Sequence, residues 1–250
     1  MATVFFRFYA ELNDFLPAGK RQIEFVYSFE HPVSIKDMIE SLGVSHTQVD
    51  LILVEGQPVD FSYIVRDGDL ISVYPVFEGL NIAPLVRLRP RPLRDVRFVL
   101  DNHLGTLARY LRLLGFDTLY RNDYEDQILA QLSVEERRIL LTRDRDLLKR
   151  ARVTHGYCVR ATDSEQQLIE VVRRFDLSET ATPFNRCLLC NVLLEPVSKE
   201  AISDRLPPKV REHYNEFHIC RACERLYWKG SHYERMKEFV NRILGRCLAL

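Results

Sequence analysis

Two cysteine pairs, Cys187-Leu-Leu-Cys190 and Cys220-Arg-Ala-Cys223, stand 29 residues apart and constrain this chain more than any other feature. The two-residue spacer lets one tight turn present both thiolates to a single point. Two such turns close a tetrahedral four-sulfur shell around zinc. Disulfides or redox-active Cys-x-x-Cys motifs are the competing reading of either pair alone, and two matched pairs favour a shared metal. Four sulfurs leave no open coordination position, so the zinc is structural: it implies a folded module and names no reaction. Cys158 and Cys247 lie outside the pattern, and cysteines arranged for a metal suit a reducing, cytoplasmic setting.

The chain's 250 residues suffice for two domains and a fraction, with 46% hydrophobic residues to fill ordinary cores. No apolar run reaches the about 18 residues of a membrane span, and MATVFFRFYAEL lacks the pattern of a secretory signal. The net charge of zero conceals a division. Residues 1–79 carry 5 Lys+Arg against 12 Asp+Glu, a balance of −7, and residues 80–250 carry 30 against 23, a balance of +7. The basic part is the better candidate for a polyanionic partner; the acidic part suits a protein partner or a contact in cis with the basic part. Chance segregation of solvated charge is the plainer alternative.

Residues 3–9 and 21–29 read as strands around a turn at Leu16-Pro17-Ala18-Gly19. Ser34 is placed to cap a short helix ended by Gly43, followed by the apolar run Leu51–Val54, a turn at 55–58 and a strand at 69–76. This ββαββ order resembles a β-grasp, or ubiquitin-like, α+β domain over 1–79, and more narrowly the small sulfur carriers. The stretch Asp67-Gly68-Asp69-Leu70-Ile71-Ser72-Val73-Tyr74-Pro75-Val76-Phe77-Glu78-Gly79 carries that likeness but ends in one glycine, not two, and the chain continues. A binding or regulatory module is expected rather than a carrier. Residues 80–95, with three prolines and four arginines, read as an extended linker.

From residue 96 short strands alternate with helices, the pattern of an α/β unit with a largely parallel sheet. Strands are expected at 96–100, 118–120, 138–142 and 157–161. Leu104, Leu107, Ala108, Leu111 and Leu114 mark an amphipathic helix stopped by Gly115. Open parallel sheets place their sites beyond the carboxyl ends of strands. Asp101 follows the first strand, Asp144 and Asp146 follow the third, and Asp123, Glu125 and Asp126 follow the second. Converging carboxylates repel unless a cation neutralises them, and hard oxygen ligands favour Mg²⁺ or Mn²⁺, which activate water against a phosphodiester. Helix capping is the structural alternative for Asp101, Asp123 and Asp126, and Asp163 reads as an N-cap.

The stretches RFVLDNHLGTLARYLRLLGFDTLY and ILLTRDRDLLKRA, with FNRCLLCNVLLEPV and EFHICRACERLYWKGSHYERM, resemble the Mut-seven C-terminal RNase domain family. That resemblance implies a PIN-like α/β nuclease domain over 96–180 and a zinc ribbon with a C-terminal helix over 181–250, preceded by the ubiquitin-like domain. It implies a divalent-metal ribonuclease, endonucleolytic on single-stranded RNA, in which Asp101, Asp126, Asp144 and Asp146 bind the metal, with Asp123 or Glu125 as alternatives to Asp126. Arg109, Arg112, Trp228, Lys229 and His232 are candidate RNA contacts, since aromatic faces beside cations stack bases and hold phosphates. For Trp228 and Tyr227 a packed ribbon core is the equal alternative; for Arg109 and Arg112, a solvated helix face. The runner-up function is an inactive PIN-scaffold protein that binds RNA or acts as an adaptor, and sulfur transfer comes third.

Overall fold

The computed structural model describes residues 1–75, 96–150 and 152–248. The expected linker at 80–95 and residues 76–79 lie outside the described residues. Strands β1 (Ala2–Phe8) and β2 (Phe25–Phe29) are followed by α1 (Ile35–Ser41), β3 (Val49–Val54), β4 (Gln57–Val59) and β5 (Leu70–Pro75). They form one sheet in the order β2-β1-β5-β3-β4, in which β1 and β5 run parallel and the other pairs antiparallel. Alternation decides the sheet's inner face: Val4, Phe6 and Phe8 of β1 are buried, together with Ile35, Met38 and Ile39 of α1. Ser34 caps α1 by accepting the Asp37 N–H, as expected. Glu55 (φ 49°) and Gly56 (φ 75°) turn β3 into β4 with the paired left-handed residues that suit a tight hairpin. The second strand starts at Phe25 and not at 21. Buried Asn13 accepts the Gln22 N–H at 2.6 Å while donating to the Phe8 and Ala10 carbonyls, which diverts the chain before it can pair.

The alternating segment gives β6 (Phe98–Leu100), α2 (Gly105–Leu113), β7 (Thr118–Tyr120), α3 (Asp126–Glu135), β8 (Ile139–Thr142), α4 (Arg145–Lys149), β9 (Gly156–Cys158) and α5 (Ser164–Arg174). The β6–β7 and β8–β9 pairs are both parallel. Asp163 caps α5 through the Glu165 and Gln166 N–H groups. Beyond it, β10 (Glu195–Val197), α6 (Lys199–Ile202), α7 (Pro208–His213), β11 (Phe217–Ile219) and β12 (Leu226–Trp228) build a three-stranded antiparallel sheet, and α8 (Ser231–Leu248) ends the described chain. No helix among the described residues is long and apolar enough to cross a membrane.

Two compact units emerge. The first joins the N-terminal sheet and α1 to the segment Glu125–Cys158; the second joins Val96–Tyr124 to the chain from Val159 through α8. Within the first unit the polar turn Ser45–Gln48 is buried and bonds Leu148, Val153 and Gly156. Within the second unit α2 packs on α5 and α5 on α8, with Phe98 edge-on to Phe116 and Phe175. Arg242 and Arg246 of α8 bind Glu165 at 2.7 and 3.0 Å.

Candidate metal centre and acidic residues

The four Sγ atoms of Cys187, Cys190, Cys220 and Cys223 all lie within 4.8 Å of one another. Cys187 and Cys223 are 3.7 Å apart, and a zinc with about 2.3 Å bonds to sulfur needs tetrahedral edges of about 3.8 Å. All four are free thiols, so the disulfide alternative is not formed. The two turns repeat one design. Cys187 N–H donates to Val192 O at 2.8 Å and Asn191 N–H returns to Cys187 O at 3.0 Å; Cys220 N–H donates to Arg225 O at 3.0 Å and Glu224 N–H to Cys220 O at 2.7 Å. Asn191 (φ 66°) and Glu224 (φ 58°) take the left-handed conformation at equivalent positions, which asparagine tolerates better than glutamate.

The sulfurs are electrostatically unequal. At Cys187 burial opposes ionisation, but the Tyr227 hydroxyl at 3.1 Å and the N–H groups of Cys190 and Leu189 outweigh it and bring the thiol down to about 6. Burial, then the neighbouring Cys223 and Cys187 sulfurs, push Cys190 up to about 12. Cys220 is pushed up as well, chiefly by burial. Cys187 thus supplies a ready thiolate, and Cys190 and Cys220 give up protons when metal enters.

Arg112 holds the first cysteine turn to α2. It is 4% exposed; its Nε donates to Thr118 O at 2.9 Å and one terminal nitrogen to Leu188 O and Leu189 O at 3.0 and 2.8 Å. Burial lowers the Arg112 pKa, and the sulfurs of Cys187 and Cys190 act in the opposite sense. The expected solvated face is therefore corrected for Arg112: its guanidinium is spent on backbone carbonyls, because the turn between the cysteines presents unsatisfied oxygens there. Arg109 does face solvent. Trp228 is half-buried against Ile202, Leu206 and Phe217, Lys229 pairs with Glu216 at 2.6 Å, and His232 is exposed.

The acids fall at element starts. Asp101 follows β6, is 6% exposed and accepts the Asn102 N–H at 2.6 Å. Asp126 opens α3 and pairs with Arg150 at 3.0 Å. Asp144 caps α4 by accepting the Asp146 N–H at 2.8 Å, while its own N–H donates to Thr142 Oγ1. Asp146 is exposed and pairs with Lys149 at 2.9 Å. Asp123 is held by two bonds from Arg121, and Glu125 precedes α3 without capping it. Among the described residues, the cysteine quartet is the group of three or more potential ligands drawn this close together.

A family model described as the Mut7-C RNAse domain matches residues 96–240, and one described as Mut7-C ubiquitin matches residues 1–81. The chain belongs to the Mut7-C RNAse domain family. The human protein named exonuclease mut-7 homolog is 39% identical to it over 106 residues, 40% of this chain and 12% of the human protein's length. No solved structure matches.

Three residues tie the cysteine turns to the rest of the Mut7-C region; the sequence marks Gly115 as a helix stop and gives no sign of this role for Asn191 or Arg186. Asn191 accepts the Thr118 N–H at 2.9 Å and donates to Asp117 at 2.7 Å. Arg186 donates to Gly115 O and Asn191 O. Gly115 (φ 96°) passes so close to Thr182 that a Cβ would overlap the Thr182 carbonyl. Asn-Val after a cysteine pair is the nearest thing to a cue, since Asn adopts the left-handed turn.

Proposed function

We propose that this chain is a divalent-metal-dependent ribonuclease of PIN-like architecture that cuts RNA within the strand. The match of residues 96–240 to a ribonuclease-domain family carries this reading, and the positions of Asp101 beyond β6 and of Asp144 and Asp146 beyond β8 support it. Their carboxylate oxygens are hard donors suited to Mg²⁺ or Mn²⁺. Asp126 and Asp146 now hold Arg150 and Lys149, so a metal would replace those cations and leave them free to face phosphate. Bound there, the ion would supply an activated water and charge neutralisation at the scissile phosphate. Asp126, Asp144 and Asp146 are the residues of the first unit to hold it, and the family resemblance implies the same role for Asp101.

The zinc ribbon serves as the RNA seat in this reading. A cavity of about 560 Å³ opens between α7, β12 and the first turn of α8, with Tyr214 and Trp228 beside Lys209, His213 and His232. Flat rings beside cations match a stacked base and its phosphate. Arg109 and Lys229 are the further cationic candidates. A circular single-stranded RNA incubated with Mn²⁺ tests the mode of attack. Linearisation supports internal cutting; loss of linear RNA alone points to exonucleolytic attack. Retention of RNA without turnover, across several metals, favours the adaptor function instead.

A further inference from the structure

The turn Ser45-His46-Thr47-Gln48 is polar at every position, yet its residues are only 4, 8, 1 and 2% exposed. Buried polar groups are costly unless bonded, and these are bonded far along the chain. Ser45 Oγ donates to Leu148 O at 3.0 Å, His46 Nε2 to Val153 O at 2.7 Å, and Gln48 Nε2 to Gly156 O at 3.1 Å. His46 Nδ1 meets Glu40 Oε1 of the ubiquitin-like domain at 2.6 Å.

All three carbonyls belong to the segment that begins with the acidic turn. Helix α4 has five residues, too few to persist alone. Asp144 satisfies its amino end, and Leu148 O is one of the carbonyls its last turn leaves without a helical partner. Ser45 bonds that carbonyl. Arg145, between the two acids, lays its guanidinium over the Phe15 ring at 5.1 Å to the centroid. The ubiquitin-like domain therefore grips α4 at its carboxyl end and at the residue separating Asp144 from Asp146.

We infer that the ubiquitin-like domain is a built-in scaffold that positions the Asp144–Asp146 turn, with Ser45, His46 and Gln48 as positioning residues. This assigns the domain a role other than sulfur carriage or occlusion of an RNA surface. The catalytic half of the inference rests on the ribonuclease reading; the structural half does not.

The test uses the full zinc-loaded chain carrying Ser45→Ala with Gln48→Ala, and Gln48→Ala alone should the double variant fold poorly. Losing these bonds is expected to speed amide exchange across 144–156 about tenfold, at constant exchange in β1, β3 and β5. Cleavage of RNA should lose kcat by about tenfold at a KM within about twofold, because the acids shift and the RNA seat does not. Ser45→Thr with Gln48 intact keeps the hydroxyl and should leave both at wild-type values. Unchanged exchange across 144–156 overturns the scaffold, whether or not the wild type cuts RNA. Faster exchange with kcat unchanged overturns the positioning role. A wild type that cuts no RNA, with faster exchange in the variant, sinks the ribonuclease reading and leaves the scaffold standing.

Discussion

Replacing Arg112 with methionine separates a clamp from an RNA contact. The change keeps the aliphatic stem and removes three hydrogen bonds. Thr118 is fully buried, so its carbonyl loses its partner with no access to water, at about 2 kcal/mol. The Leu188 and Leu189 carbonyls sit at half-buried and exposed positions, where water restores most of what is lost and each costs about 0.5 kcal/mol. Relief of the desolvation that lowers the Arg112 pKa gives part of this back, leaving a net loss of about 2 kcal/mol. Urea unfolding of the zinc-loaded chain should show an earlier midpoint at constant slope, and chelator competition should show weaker zinc retention. A variant within about 0.5 kcal/mol of wild type, but with a shallower salt dependence of RNA binding, would refute the clamp and restore Arg112 as a phosphate ligand.

Gly115→Ala forces a side chain into a left-handed position against Thr182, whose N–H bonds Leu114 O at 2.9 Å; unfolding should become easier by about 2 kcal/mol or more, read by thermal denaturation. Zinc loading should release protons at neutral pH, Cys190 (held up to about 12) and Cys220 among their sources, while Cys187 at about 6 is largely ionised already. The metal-free ribbon draws stability from the raised Cys190 pKa below about pH 9, lost as pH rises towards 12, and from the lowered Cys187 pKa above about pH 9, lost as pH falls through 6. Zinc affinity should accordingly fall as pH is lowered, and more steeply below about pH 6 where Cys187 also takes up a proton; titration calorimetry in buffers of differing ionisation enthalpy measures both effects.

Most of the secondary structure is legible because local rules decide it. Leu107, Ala108 and Leu111 bury as their helical spacing requires, Ser34 and Asp163 cap where expected, and each cysteine pair closes within six residues by its own backbone bonds. What escapes the sequence is long-range. Nothing local in Ser45-His46-Thr47-Gln48 marks it for burial, and only acceptors more than a hundred positions away make that burial affordable. Arg112 borders the apolar stripe of α2 and is drawn inward by carbonyls of a turn that begins 75 residues later. The helices α6 and α7 inside the ribbon's connection also leave weak patterns, being four and six residues long. The acids are legible as strand-end residues, while the cations that hold Asp126 and Asp146 are apparent only in the fold.

Carboxylates beyond β8 are proposed to carry out metal-dependent RNA cleavage. Asp144→Asn tests it most directly, since asparagine caps a helix as well as aspartate and should leave α4 and the folded stability nearly unchanged. Wild type and variant, both zinc-loaded, are compared for cleavage of single-stranded RNA with Mn²⁺ at matched concentrations. Wild type should cleave the RNA and the variant should lose about 100-fold or more, with RNA affinity retained. Equal cleavage by the two proteins would contradict it.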